Sequence, residues 1–129
     1  MIEPLVSVIV PTYNSGRTLN ECLSAIASQD YKNVEIIVTD SFSKDNTKEI
    51  ARRFTDMIID AESLALARKK GVELAKGQYI LFIDSDQIVN PDTIAESVKV
   101  CEEDGYDGVT HFERSKIYKN TFVERLINY

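Results

Sequence analysis

Two aspartates, Asp84 and Asp86, flank a serine at the end of the apolar run Ile80-Leu81-Phe82-Ile83. A buried strand that ends on Asp-Ser-Asp presents both carboxylates where the chain leaves the core, and the two can face one cavity. Hard cations such as Mg²⁺ or Mn²⁺ take oxygen ligands and commonly use one or two carboxylates with substrate phosphates completing the shell. The pattern reads as a divalent-metal site for an anionic ligand. The competing reading is an acidic turn that caps the next segment, and placement directly after the apolar run favours the metal.

Other candidates are less sharp. Asp40 closes a second apolar run, Val34 to Thr39. It could accept hydrogen bonds from a nucleotide, or cap the following helix beside Ser43, Asp45 and Thr47. Arg68 could clamp phosphate with its planar fork, or belong to a solvated basic face with Lys69 and Lys70. Tyr13 and Phe42 could flank a planar base or simply pack. His111, the single histidine, has no partner pattern. Cys22 and Cys101 lack metal-type spacing and read as buried free thiols, which points to a reducing compartment.

Charge narrows the ligand class. The chain of 129 residues has 15 basic and 21 acidic side chains, a net charge of -6. An acidic chain does not attract nucleic acid. Any anionic substrate needs a local cation to offset the field. The composition, 43% hydrophobic and 28% charged, is that of one globular domain. The N-terminus has no basic start and no long apolar run, so no signal peptide is expected. No stretch reaches the roughly 18 apolar residues that span a bilayer.

The elements that must position these groups alternate. Leu5 to Val10, Val34 to Thr39, Met57 to Ile59 and Tyr79 to Ile83 read as strands, with Val109 to Phe112 a fifth. Thr18 with Glu21 looks like a capping box opening a helix that carries Leu19, Cys22, Leu23, Ile26 and Ala27 on one face. Further helices are expected over Thr47 to Phe54, over Ser63 to Lys76 with Gly77 as the stop, and from an Asn90 cap to about Glu103. Lys119 to Asn128 also reads as helical. Strands alternating with helices imply crossovers and a mostly parallel sheet covered on both faces. In such sheets ligands bind outside the carboxyl ends of the strands. The polar loops there are Pro11 to Gly16, Asp40 to Asn46 and Asp84 to Gln87.

At this point the segments resemble a known family. Val6 through Asn14 is similar to the opening strand and loop of family 2 glycosyltransferases, and Val34 to Thr47 to their second strand and acidic loop. Ala67-Arg68 through Gly71, then Ala75 through Asp86, resembles the helix and strand leading to their metal motif. The matches fall in order over about residues 5 to 90. The resemblance implies an α/β fold of the GT-A type, a Rossmann-like sandwich that binds a nucleotide-diphosphate sugar. It implies a donor site formed by Pro11, Thr12, Tyr13, Asn14, Asp40, Arg68, Asp84 and Ser85, with Asp86 and Asp84 on a Mn²⁺ or Mg²⁺ ion. It also implies transfer of the sugar to an acceptor hydroxyl of a glycan, lipid or protein, mostly with inversion, in the cytoplasm or at the cytoplasmic face of a membrane. A segment beyond residue 129 could supply the membrane association.

Departures from the family pattern are informative. Ser41 stands in place of a second acid and Phe42 in place of a glycine, so uridine is not specifically indicated; Lys69 replaces an asparagine. No catalytic base is identified, although Asp104, Asp107 and Glu113 are acidic candidates. The 129 residues read as a single donor-binding domain, a truncated part of a larger catalytic domain. A non-catalytic nucleotide-diphosphate-binding fragment is the main alternative. A haloacid-dehalogenase-like phosphatase is a weaker one, because its Asp-x-Asp ends the first strand. An EF-hand fails for want of a glycine at Val89.

Overall fold

A computed structural model describes residues 3–106 together with the backbone of two later strands. The chain runs β1 (Val6–Thr12), α1 (Leu19–Ala27), β2 (Val34–Asp40), α2 (Thr47–Ala51), β3 (Ile58–Asp60), α3 (Leu64–Leu74), β4 (Tyr79–Phe82), α4 (Thr93–Asp104), β5 (Val109–Glu113) and β6 (Thr121–Arg125). The first four strands form one sheet in the order β3-β2-β1-β4, parallel at each pairing. The three strands expected to be neighbours are neighbours, and Asp40 and Asp84 leave the sheet from the same edge.

Alternation along the strands divides the core between two faces. Val6, Val8 and Val10 of β1 join Val38 of β2, Leu19, Cys22, Leu23 and Ile26 of α1, and Ile94 and Val98 of α4 in one buried cluster. Ile9 points the other way, under α3, where Gly71 lies so close that an added Cβ would meet Ile9 Cγ2 at 2.6 Å. Each fully buried Leu, Ile or Val here contributes about 1.5–3 kcal/mol. Coverage of both faces holds for β1 and β2. On β4, Tyr79 and Leu81 pack on the cluster, whereas Ile80 and Phe82 stay 41% and 43% exposed.

Pro11 lies within the central strand, opposite Thr39. This is tolerated because the backbone groups of alternate residues face alternate neighbours. Ile9 O accepts from Ile83 N on the β4 side, and Thr12 O accepts from Ser41 N on the β2 side. Pro11 therefore faces the β4 side, past the last β1–β4 pair at Ile9 and Phe82, where no ladder donor is needed.

Several boundaries move from those expected. Thr18 is the N-cap of α1, but its hydroxyl makes no cap bond and donates to Ser85 O at 3.0 Å. Ser63 does cap α3, accepting from Leu66 N at 3.2 Å, but the helix ends at Ala75. Gly77 is thus no helix stop. It is needed for close approach to β1, since a Cβ there would sit 2.6 Å from Ser7 N. The N-cap of α4 is Asp92 in place of Asn90. The first-turn Ile94 N instead donates to the side chain of buried Gln29, whose amide nitrogen donates to Asn90 O. The helix expected over Lys119 to Asn128 is corrected to a strand where that stretch is described. Thr121–Arg125 is β6, antiparallel to β5, because β-prone Thr121, Phe122 and Val123 pair with Glu113, Phe112 and His111. The rest of that stretch, Asp107, and the side chains of His111 and Glu113 lie outside the described residues. Cys22 and Cys101 are buried thiols that form no disulfide with each other. Among the described residues no helix is long and apolar enough to cross a membrane.

Candidate active site

The parallel crossovers set α3 antiparallel to the strands, so its first turns lie at the carboxyl edge of the sheet. Leu64 and Arg68, one turn apart, face the same way there. The close approach of Gly71 to Ile9 seats this helix against β1. Between α3, the start of α1 and the end of β4 lies a cleft of about 650 Å³. It is lined by Pro11, Tyr13, Asn14, Ser15, Arg17, Thr18, Leu64, Arg68, Asp84, Ser85 and Asp86. This volume suits a small-molecule ligand of nucleotide size.

Seven of the nine residues singled out in the sequence line this cleft: Pro11, Tyr13, Asn14, Arg68, Asp84, Ser85 and Asp86. Thr12 and Asp40 do not. Both are fully buried behind the wall, with Thr12 Oγ1 donating to Asp40 Oδ1 at 2.6 Å. Asp40 also accepts from Ser43 Oγ at 2.6 Å and from Ser43 N at 2.8 Å. Its carboxylate is spent on holding the loop after β2. That loop is bound in turn to the one after β1: Asn14 N donates to Ser43 Oγ at 2.7 Å, Lys44 N to Asn14 Oδ1 at 2.8 Å, and Gly16 N to Asp45 Oδ2 at 3.0 Å. Asp45 further accepts from the Thr47 hydroxyl and from Thr47 N, and the Thr47 hydroxyl bond leads the causes that hold its carboxyl below the usual aspartate range.

The acidic loop is fixed through its backbone and leaves its carboxylates outside. Gln87 N donates to Asp84 O at 3.0 Å, and Asp84 N donates to Gln87 Oε1 at 2.7 Å. Cys22 Sγ reaches Asp84 O, and the Ser15 and Ser85 hydroxyls meet at 2.8 Å. The Asp84 side chain is 65% exposed, with Arg68 at 3.7 Å. A loose, exposed pair of this kind is worth about 0–1 kcal/mol, so Asp84 is available to a ligand. Asp86 is exposed and has no partner among the described residues.

Two carboxylates on one cleft fit a hard divalent cation that takes its remaining ligands from phosphate and water. No cluster of three or more His, Cys, Asp or Glu side chains that could hold a metal occurs among the described residues. Asp84 and Asp86 would therefore share the ion with a ligand. Arg17 was not legible in the sequence, where nothing local separates a cleft arginine from a solvated one. It lies between the β1 loop and α1, at the same edge, and is exposed with no ion-pair partner among the described residues. Ser15, Thr18 and Leu64 were missed with it. Lys69 and Lys70 take the basic-face role instead, Lys70 Nζ donating to Asp60 O at 3.0 Å.

Comparison with known proteins agrees with this geometry. The model of glycosyl transferase family 2 matches residues 7–129. Glycosyltransferase GlyG of Streptococcus pneumoniae is 38% identical over 116 residues, which are 84% of this chain and 38% of GlyG. The crystal structure of Staphylococcus aureus TarS in complex with UDP-GlcNAc superposes with a TM-score of 0.73 at 30% identity, over 80% of this chain and 32% of that one. The mannosyltransferase PcManGT of Pyrobaculum calidifontis, in complex with GDP-Man and Mn²⁺, gives 0.69 at 32% identity, over 78% and 33%. The chain thus spans about a third of the length of these relatives. With a parallel α/β sheet of the GT-A kind and a family match over nearly all of its length, this chain belongs to glycosyl transferase family 2.

Proposed function

We propose that this chain forms the donor site of a metal-assisted glycosyltransferase that uses a nucleotide-diphosphate sugar. The observation that carries the reading is the charge arrangement of the cleft. Asp84 and Asp86 stand beside Arg68 and Arg17, two acids and two cations, so the local formal charge sums to zero. A diphosphate brought into that balance makes it negative, on a protein of net charge -6. A divalent cation held by Asp86 and Asp84 restores neutrality, and the solved relatives that carry Mn²⁺ support its use here.

Transfer breaks the bond between the anomeric carbon and the distal phosphate oxygen, and that oxygen keeps the electron pair. The acceptor hydroxyl forms the new bond and loses its proton to a base, with inversion at the carbon. The cation, when bound, supplies Lewis-acid screening of the leaving diphosphate. Arg68 and Arg17 add donors to its oxygens. The laced loops after β1 and β2 hold the nucleoside end, and Pro11 and Leu64 give the cleft apolar wall. The acceptor is the hydroxyl of a glycan, lipid or protein.

Calorimetry with UDP, GDP, ADP and their sugars in Mn²⁺ tests the reading. At least one should bind with heat and one-to-one stoichiometry. Binding of none of them by the wild-type chain would overturn it.

A further inference from the structure

Phe42 has a backbone φ of 54°, and among the described residues only Asn14, at 46°, shares the left-handed region without being glycine. Asn tolerates that region, whereas a bulky side chain is strained in it. Such strain persists only where neighbouring bonds over-determine the backbone, and it collects at ligand sites. Here the determining bonds are visible. Ser41 N donates to Thr12 O at 2.9 Å, and Asn14 N donates to Ser43 Oγ at 2.7 Å. The two bonds bracket Phe42 on one loop and Tyr13 on the other. They place the two aromatic residues on adjacent loops, just beyond the paired strand ends Thr12 and Asp40.

Packing does not account for either ring. Phe42 is 55% exposed and Tyr13 59% exposed. Tyr13 lines the cleft. Asp40, the acid nearest in sequence, is fully buried and has both oxygens engaged by Thr12 and Ser43. The carboxylate that could have read a base edge is thus withdrawn, while a strained aromatic is held out in solvent beside it.

We infer that Phe42 is a base-binding residue which, with Tyr13, forms an aromatic platform for the nucleobase of the donor. Affinity for the base at this edge then comes from stacking. Every base offers a π face, so the platform accepts both base classes, with the larger purine surface gaining more. This rests on the donor-site reading above.

The test uses the full chain, titrated in Mn²⁺ with GDP, UDP and inorganic pyrophosphate. Phe42→Asn keeps a residue that accepts the left-handed backbone and removes the ring; Phe42→Tyr keeps the ring. We expect Phe42→Asn to bind both nucleotides about tenfold more weakly, to bind pyrophosphate like wild type, and to melt no lower than wild type. Phe42→Tyr should bind like wild type. Unchanged nucleotide affinity in Phe42→Asn overturns the inference alone. So does an equal loss for pyrophosphate, which would mean that the ring merely shapes the loop. A wild-type chain that binds neither nucleotide removes the donor-site reading, and this inference with it.

Discussion

On the β1–β2 side of the cleft the carboxylates are already hydrogen-bonded within the fold, and on the Asp84–Asp86 side they are not. Asp40 accepts three hydrogen bonds while fully buried, and Asp45 accepts from Gly16 and Thr47. Across the cleft, Asp84 has only Arg68 at 3.7 Å for its side chain, and Asp86 has no partner among the described residues. Both sides are acidic loops leaving a parallel strand, so residue type does not separate them. Burial does. A buried carboxylate must be satisfied within the fold, whereas an exposed one at a strand end can wait for a ligand. On the proposed reading, one side is a preformed cradle and the other is completed by the metal and the donor.

That contrast can be broken by substitution. Asp40→Ala should have the largest effect, and on stability. It leaves Thr12 Oγ1 and two Ser43 donors without their acceptor, which costs about 3 kcal/mol in urea denaturation. Loss of donor binding with unchanged stability would mean that Asp40 acts on the ligand after all. Arg17→Ala should leave stability unchanged and weaken nucleoside diphosphates about tenfold by calorimetry, the loss of one charge-assisted contact. An unaltered affinity would place Arg17 outside the site.

The smallest effect is expected at Asp45, and it depends on pH. The Thr47 hydroxyl first, then the Gly16 and Thr47 amides, hold its carboxyl below the usual aspartate range. A lowered folded pKa stabilises the protein above the unfolded value, and that stability is lost as pH falls through the folded pKa. Asp45→Asn should therefore melt below wild type at neutral pH, with the difference closing under acid conditions. A difference that is constant with pH would show that the carboxylate charge plays no part.

The parallel sheet and most of the cleft were legible in the sequence because both follow from apolar runs that end on polar loops. Asp84 and Asp86 could be placed on the cleft because they directly follow an apolar strand at its carboxyl end. Asp40 could not be resolved in the same way. It also ends a strand, but whether a carboxylate faces in or out depends on Thr12 and Ser43, which come from two different loops. Arg17 was hidden for a similar reason: nothing local separates a pocket arginine from a solvated one. The last strand, Thr121–Arg125, reads as a helix by itself and is decided by its pairing with Val109–Glu113, a contact that local periodicity does not encode.

The most direct test of the cleft as a half-finished site is metal linkage. A nucleoside diphosphate that binds the wild-type chain is titrated against wild type and Asp86→Ala, each in Mn²⁺ and in excess chelator. We predict that wild type binds tightly only with Mn²⁺. Asp86→Ala should lose most of that affinity and the metal dependence together, with its melting temperature unchanged because Asp86 makes no contact that holds the fold. Equal binding by wild type in chelator, or wild-type affinity in Asp86→Ala with Mn²⁺, would contradict the account.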